Sequence, residues 1–369
     1  MLVVRTDPKR GSTQRGRGLV DFASRRLLAC AAAFGVAGPV ASATFQVLSE
    51  RADRRRFPPP GRIVEVNGRR VHVWTEGEGS PTVVIVPGMS SPGIHWVHVQ
   101  RALVPDHHVV LYDRAGVGWS QAAPWWEWRS PSRIADELHD TLTTAGEGGP
   151  FLFVGHSLGG EVVRLYANRH PDQVAGMVLV DAPSENNDWL VEEFGWWRYG
   201  PVRWWKDVAR RLLTPRGLVR LRTRSGVDTS LHDKARRKVP PDLVETEMFT
   251  ALTSGMRRAD VMERVVLSTE VLRRERRHFG GMPLVVISAS ASPSSDSYAC
   301  NPCWDATVSE FARRRAQVWA RIQADLASLS YSSKLIVAER AGHNVQWDEP
   351  ELIVDAVTDM CAALAADQE

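Results

Sequence analysis

Short apolar, β-branched runs recur along the chain beyond Arg62: Thr82 to Val86, Val109 to Tyr112, Phe151 to Val154, Met177 to Val180, Leu284 to Ser288 and Leu335 to Ala338. They show no polar alternation, and stretches of helical periodicity separate them. Continuous apolar strands between helices are what a parallel sheet covered on both faces requires, so the pattern predicts a doubly wound α/β domain. Ahead of them, Ile63 to Val66 and Val71 to Trp74 flank Asn67-Gly68, a pair that supplies the positive φ angles of a two-residue hairpin turn. The rhythm breaks between Pro183 and Gly281, where only helical pattern rich in Trp and Arg is found. So long an excursion between neighbouring strands needs structure of its own, and it reads as a helical cap over about 184–280. A closing helix from Glu351 puts Leu352, Ile353, Ala356, Val357 and Met360 on one face.

The N-terminal part has a different pattern. After a basic tail (1–26), residues 27–48 read LLACAAAFGVAGPVASATFQVL, about the ~20 residues that cross hydrocarbon as a helix. Ala41-Ser42-Ala43 offers a small-residue cleavage site, but the apolar run continues to Leu48, which favours an uncleaved anchor over a secretory signal. The slightly more basic side precedes the segment, so the expectation is a single-pass membrane protein with the following domain outside the cytoplasm, or, if cleaved, a secreted one. Residues 49–61, ending Pro58-Pro59-Pro60-Gly61, read as a stiff linker to a domain spanning 62–369.

Composition narrows the picture little. The hydrophobic share of 43% and the net charge of +3 are those of an ordinary globular protein and argue against nucleic-acid binding. Between Arg203 and Lys238 twelve basic residues face only Asp207, Asp228 and Asp233, a bias suited either to anionic head groups or to a solvated helix face. Fourteen Trp, including Trp196, Trp197, Trp204 and Trp205 in the cap, suit core filling, a greasy cleft or a membrane interface. Cys300 and Cys303 have no further ligands near them, which speaks against a metal site; a local disulfide in an oxidising compartment is preferred to two free thiols, and no metal or cofactor is expected.

The chemistry concentrates in a few places. Gly155-His156-Ser157-Leu158-Gly159 follows a strand and opens a helix, the context of a nucleophile elbow, where a sharp turn lifts the serine oxygen into a cleft. The helix N-terminus favours developing negative charge, and the Leu158 N–H is one donor for it. Serine needs a base, and His343 in Ala341-Gly342-His343 is the histidine placed at a late strand end; His156 and His95, His98, His107 and His108 suit surface or supporting roles.

Together with Val86-Pro87-Gly88-Met89 and the D-x-x-G-x-G-x-S loop from Asp113 to Ser120, these motifs make the chain from about Arg62 onward resemble the α/β-hydrolase superfamily. The resemblance implies that fold, with a mostly parallel sheet, helices on both faces and a cap. It also implies that the Met89 N–H is the second oxyanion donor, although Pro87 stands where the family usually has His. The acid partner departs from the usual Gly-x-x-Asp: Ser-rich sequence precedes Asp296, whereas Asp181 ends the strand Val178-Leu179-Val180. Asp181 is favoured because a strand end holds a carboxylate more rigidly, with Asp296 the alternative. A serine at the elbow speaks against the dehalogenase and epoxide-hydrolase branches, which use Asp there. The expectation is a serine hydrolase acting on a small or medium apolar ester, with a non-catalytic, membrane-tethered binding module on the same fold as the competing reading.

Overall fold

The computed structural model describes residues 38–194, 216–226, 229–265, 269–290 and 306–366. Eight strands form one sheet in the order β1-β2-β4-β3-β5-β6-β7-β8: β1 (Arg62–Val66), β2 (Arg69–Glu76), β3 (Thr82–Val86), β4 (Val109–Tyr112), β5 (Phe151–His156), β6 (Val174–Val180), β7 (Leu284–Ala289) and β8 (Ser333–Ala338). β2 runs antiparallel to β1 and β4, and the pairs from β4 through β8 are parallel. Asn67 and Gly68 both have positive φ, as the hairpin between β1 and β2 demands.

Every residue of β3, β4 and β5 is buried, and the two faces of the sheet feed two separate apolar cores. Each such side chain contributes roughly 1.5–3 kcal/mol, so these strands tolerate little polarity, which is why they lack alternation. β8 departs from this: it is an edge strand, and Leu335 and Val337 are exposed on it. The chain leaves β3 toward β4 on one side and returns to β5 on the other. The carboxyl ends of β3 and β5 thus flank the point where strand order reverses, the crevice in which open α/β sheets bind ligands.

Among the described residues, the segment between β6 and β7 is helical without strands, as expected of a cap: Asp188–Phe194, Arg216–Arg224, Ser230–Lys238, Val244–Ala251, Ser254–Val265 and Thr269–Arg274. Between β7 and β8 lies a long helix, Ala306–Ala327, which the sequence pattern did not single out.

The N-terminal expectation needs correction. Residues 38–56 form one helix, so the second half of the apolar run and most of the supposed linker are a single element. Its Ser42, Gln46, Ser49 and Asp53 recur at helical spacing, and the last three are buried. They face the cap. Gln46 donates to the Leu252 carbonyl (2.7 Å), and buried Arg220 donates to Gln46 (3.2 Å), to the Leu252 carbonyl (3.0 Å) and to Asp53. Gly217 permits the approach, because a Cβ there would lie 2.0 Å from the Ser42 carbonyl oxygen. No helix among the described residues is long and apolar enough to cross a membrane, and residues 27–37 lie outside them. The remaining linker is pinned as well: Phe57 stacks on Phe249, and its carbonyl accepts from the Trp119 indole (3.0 Å).

Candidate active site

β5 runs directly into Ser157, and the helix Leu158–Arg169 begins at the next residue. Ser157 has φ 52°, a left-handed conformation that costs a non-glycine residue on the order of 1–3 kcal/mol and persists only where its surroundings enforce it. They do so here. The Ser157 N–H donates to the Val180 carbonyl (3.1 Å), and the Ser157 carbonyl accepts from the Gly160 N–H (2.8 Å). The flanking glycines are steric requirements. A Cβ on Gly155 would meet Val163 at 2.7 Å and the Gly159 carbonyl at 2.8 Å, and one on Gly159 would sit 2.0 Å from the Val86 carbonyl oxygen.

His343 arrives from the loop after β8, and its Nε2 lies 3.1 Å from Ser157 Oγ. Its Nδ1 lies 2.6 Å from Asp181 Oδ2. A carboxylate only accepts, so Nδ1 carries the proton, and in the neutral ring Nε2 is left to accept from the serine hydroxyl. The loop is held by the residues that open the closing helix: the Asp348 carboxylate accepts from the Gly342 N–H (3.1 Å) and Glu349 pairs with Arg340 (3.3 Å).

Asp181 also has positive φ (43°), with its N–H bound to the Ile287 carbonyl (2.7 Å). Its Oδ1 accepts from the Trp319 indole N–H (2.7 Å) and the Ala289 N–H (2.9 Å). Burial alone would raise this carboxyl, but the His343 contact and the two further donors outweigh it and hold Asp181 below the usual carboxylate range. Of the two acids weighed from the sequence, the structure brings Asp181 to the histidine; Asp296 lies outside the described residues, as do Cys300, Cys303 and the tryptophans at 196, 197, 204 and 205.

The elbow histidine is buried beside the pair. His156 Nε2 donates to the His343 carbonyl (2.7 Å), and the two rings lie 4.8 Å apart. Burial and then the neighbouring His343 push His156 down to about 3, so it stays neutral and acts as a fixed strut behind His343. The Leu158 N–H, first in its helix, has no acceptor within that helix. The Pro87–Met89 backbone comes against the serine, since a Cβ on Gly88 would lie 3.1 Å from Ser157 Cβ and 2.6 Å from His156 Nδ1.

The D-x-x-G-x-G-x-S loop is scaffolding. Asp113 accepts from the Gly93 and Trp119 N–H groups (2.8 and 3.1 Å) and from His72 Nδ1 (2.7 Å), and a Cβ on Gly118 would strike it at 2.1 Å. Sequence reasoning missed Trp319 and the linking role of His156. A helical tryptophan 138 positions from its partner carries no local signal, whereas a histidine inside the elbow invited a closer look.

A family profile described as the α/β hydrolase fold matches residues 81–313, well over half of the chain. The chain belongs to the α/β hydrolase family. An AB hydrolase superfamily protein of Gibberella zeae is 25% identical to this α/β hydrolase over 296 residues, covering 75% of this chain and 85% of that one. Solved structures of the same fold include an esterase from Thermogutta terrifontis (TM-score 0.54, 17% identity, 82% of this chain and 98% of that one). The epoxide hydrolase CorEH is also similar (TM-score 0.58, 16% identity, 82% and 98%). At such identities the likeness is one of fold.

Proposed function

We propose that this α/β hydrolase is a serine hydrolase that cleaves esters of small or medium apolar compounds. The observation that carries the reading is the unbroken chain of hydrogen bonds from Ser157 Oγ through the His343 ring to Asp181. In the proposed reaction His343 Nε2 takes the hydroxyl proton as Ser157 Oγ attacks the ester carbonyl carbon. The Met89 and Leu158 N–H groups hold the resulting oxyanion, and His343 passes the proton to the departing alcohol. Water then attacks the acyl-serine with His343 again as base, releasing the acid and restoring the enzyme. Asp181 remains ionised and stabilises the imidazolium that forms.

An epoxide hydrolase of this fold would need a carboxylate where Ser157 stands, which favours acyl transfer over that chemistry. The substrate's apolar character rests on the tryptophan-rich cap sequence. A series of p-nitrophenyl esters of increasing acyl length tests the reading. Turnover that peaks at a short or medium chain and vanishes in Ser157→Ala supports it. No turnover by folded protein across the series favours the binding-module reading instead.

A membrane tether, with the hydrolase domain outside the cytoplasm or secreted after cleavage, is supported by the sequence of the apolar run before residue 38 alone, since the part of the run from 38 to 48 belongs to the helix that packs on the cap. Retention of the full chain in the membrane pellet after an alkaline carbonate wash supports the tether, and release contradicts it.

A further inference from the structure

The loop after β3 carries one of the two proposed oxyanion donors, and besides its own bond from the Ser91 N–H to the Gly88 carbonyl (3.1 Å) it is gripped by groups from outside the loop. Arg114, 1% exposed, donates Nη1 to the Pro87 carbonyl (2.6 Å) and Nη2 to the Gly88 carbonyl (2.7 Å). Its other partner is Glu263 on the cap helix Ser254–Val265: Nε and Nη2 reach the two carboxylate oxygens at 2.9 and 3.2 Å. The same carboxylate accepts the Ser90 N–H (2.9 Å), and Ser90 Oγ donates to Asp260, one turn earlier on the helix, at 2.7 Å. A second cap helix, Val244–Ala251, joins in through Glu247, which pairs with His95 (2.8 Å), while His95 Nδ1 meets Ser91 Oγ at 3.0 Å.

The consequence follows from peptide geometry. The Gly88 carbonyl and the Met89 N–H belong to one planar trans peptide, so they point in opposite directions. Fixing the carbonyl on Arg114 fixes the N–H on the far side of that plane. The next peptide is held in turn through its own N–H, that of Ser90, on Glu263. Met89 therefore sits between two clamped peptides, with Ser90 in a left-handed conformation (φ 54°) that the clamp sustains.

We propose that Arg114 and Glu263 are positioning residues that aim the Met89 N–H at the developing oxyanion, making the cap a structural part of the oxyanion hole. The inference rests on the serine-hydrolase reading above. It gives the cap a role beyond enclosing substrate: displacement of the cap helix disarms the transition-state donor while leaving Ser157, His343 and Asp181 assembled.

Removing one partner alone would strand a buried charge and endanger folding, whereas replacing both by apolar residues of similar volume is tolerated far better. The test is therefore the double variant Arg114→Met/Glu263→Leu, checked for folding by its thermal transition and assayed with p-nitrophenyl butyrate. Loss of an aimed oxyanion donor predicts a kcat lower by about 10²-fold with KM within about twofold, because the donor acts on the transition state more than on bound ester. A folded double variant that keeps kcat within about twofold overturns the proposal, as does one in which only KM rises. Should the double variant fail to fold, Arg114→Lys decides. It keeps the positive charge beside Glu263 but cannot hold the Pro87 and Gly88 carbonyls together as the guanidinium does, and a kcat about three- to tenfold lower at unchanged KM is expected, with an unchanged kcat overturning the proposal. Fluorophosphonate labelling of the wild type separates the two levels. If the wild type does not label at Ser157, the serine-hydrolase reading has failed; if it labels and the variants retain kcat, only the positioning role has.

Discussion

Asp181, at the end of β6, and Glu161, in the first turn of the elbow helix, are both buried carboxyls, yet their surroundings drive them to opposite states. Asp181 receives His343, the Trp319 indole and the Ala289 amide, and is held below its ordinary range despite burial. At Glu161 burial wins over the attraction of Arg164, and the Glu185 charge adds to it, so the carboxyl is pushed up to about 8 and is mostly protonated at neutral pH. Depth in the fold therefore does not decide charge; the donors supplied to each oxygen do. The molecule supplies them where a negative charge serves the proposed chemistry and withholds them one helix away.

The sharpest way to break this comparison is to remove the charge at Asp181. Asp181→Asn keeps the shape but leaves the imidazole in the wrong tautomer, and kcat on p-nitrophenyl esters should fall by roughly 10³–10⁴-fold with the fold intact. A loss below tenfold would mean that His343 is oriented by another group, Asp296 foremost. Trp319→Phe takes away one donor while leaving two. A hydrogen bond to a charged group is worth about 1.5–3 kcal/mol, so a loss of roughly ten- to a hundredfold in kcat is expected, and wild-type rates would make the indole a packing group only. The smallest effect on turnover belongs to Glu161→Gln, which should instead change the pH dependence of stability. Wild-type Glu161 binds its proton in the folded state up to about pH 8 but gives it up near 4.5 when unfolded. Its contribution is therefore fully present below pH 4.5 and is lost as pH rises to 8. Urea unfolding should find Glu161→Gln more stable than wild type by on the order of 3 kcal/mol at pH 8.5 and little different at pH 4.5. Equal gains at both values would show that the native carboxyl is ionised.

What could be read from sequence divides along the same physical line. The strands of the sheet, the hairpin, Ser157 in its glycine-flanked turn and His343 after β8 are local patterns, and each lies where the pattern put it. Asp181 was legible as a strand end and on that ground favoured over Asp296 as the histidine's partner, although no local pattern encodes a pairing that spans 162 positions. Trp319, the clamp between Arg114 and Glu263, and the buried polar stripe of residues 38–56 were not legible. Each is defined by a side chain meeting another from a distant element, and no period in the sequence encodes such a meeting. The N-terminal case shows the cost most clearly. Gln46 reads as a minor blemish in an apolar run, yet it sits at 5% exposure between Arg220 and the Leu252 carbonyl. Exposed Leu335 and Val337 teach the same lesson in reverse, because an apolar strand does not announce that it lies at a sheet edge.

The central claim is that one hydroxyl has been made nucleophilic by one imidazole. Peptide mapping after brief exposure to a fluorophosphonate tests it most directly. Stoichiometric phosphonylation of Ser157 in the wild type, lost in folded His343→Ala, is the predicted result. A folded wild type that takes up no label, or a His343→Ala variant that labels at the wild-type rate, would contradict it.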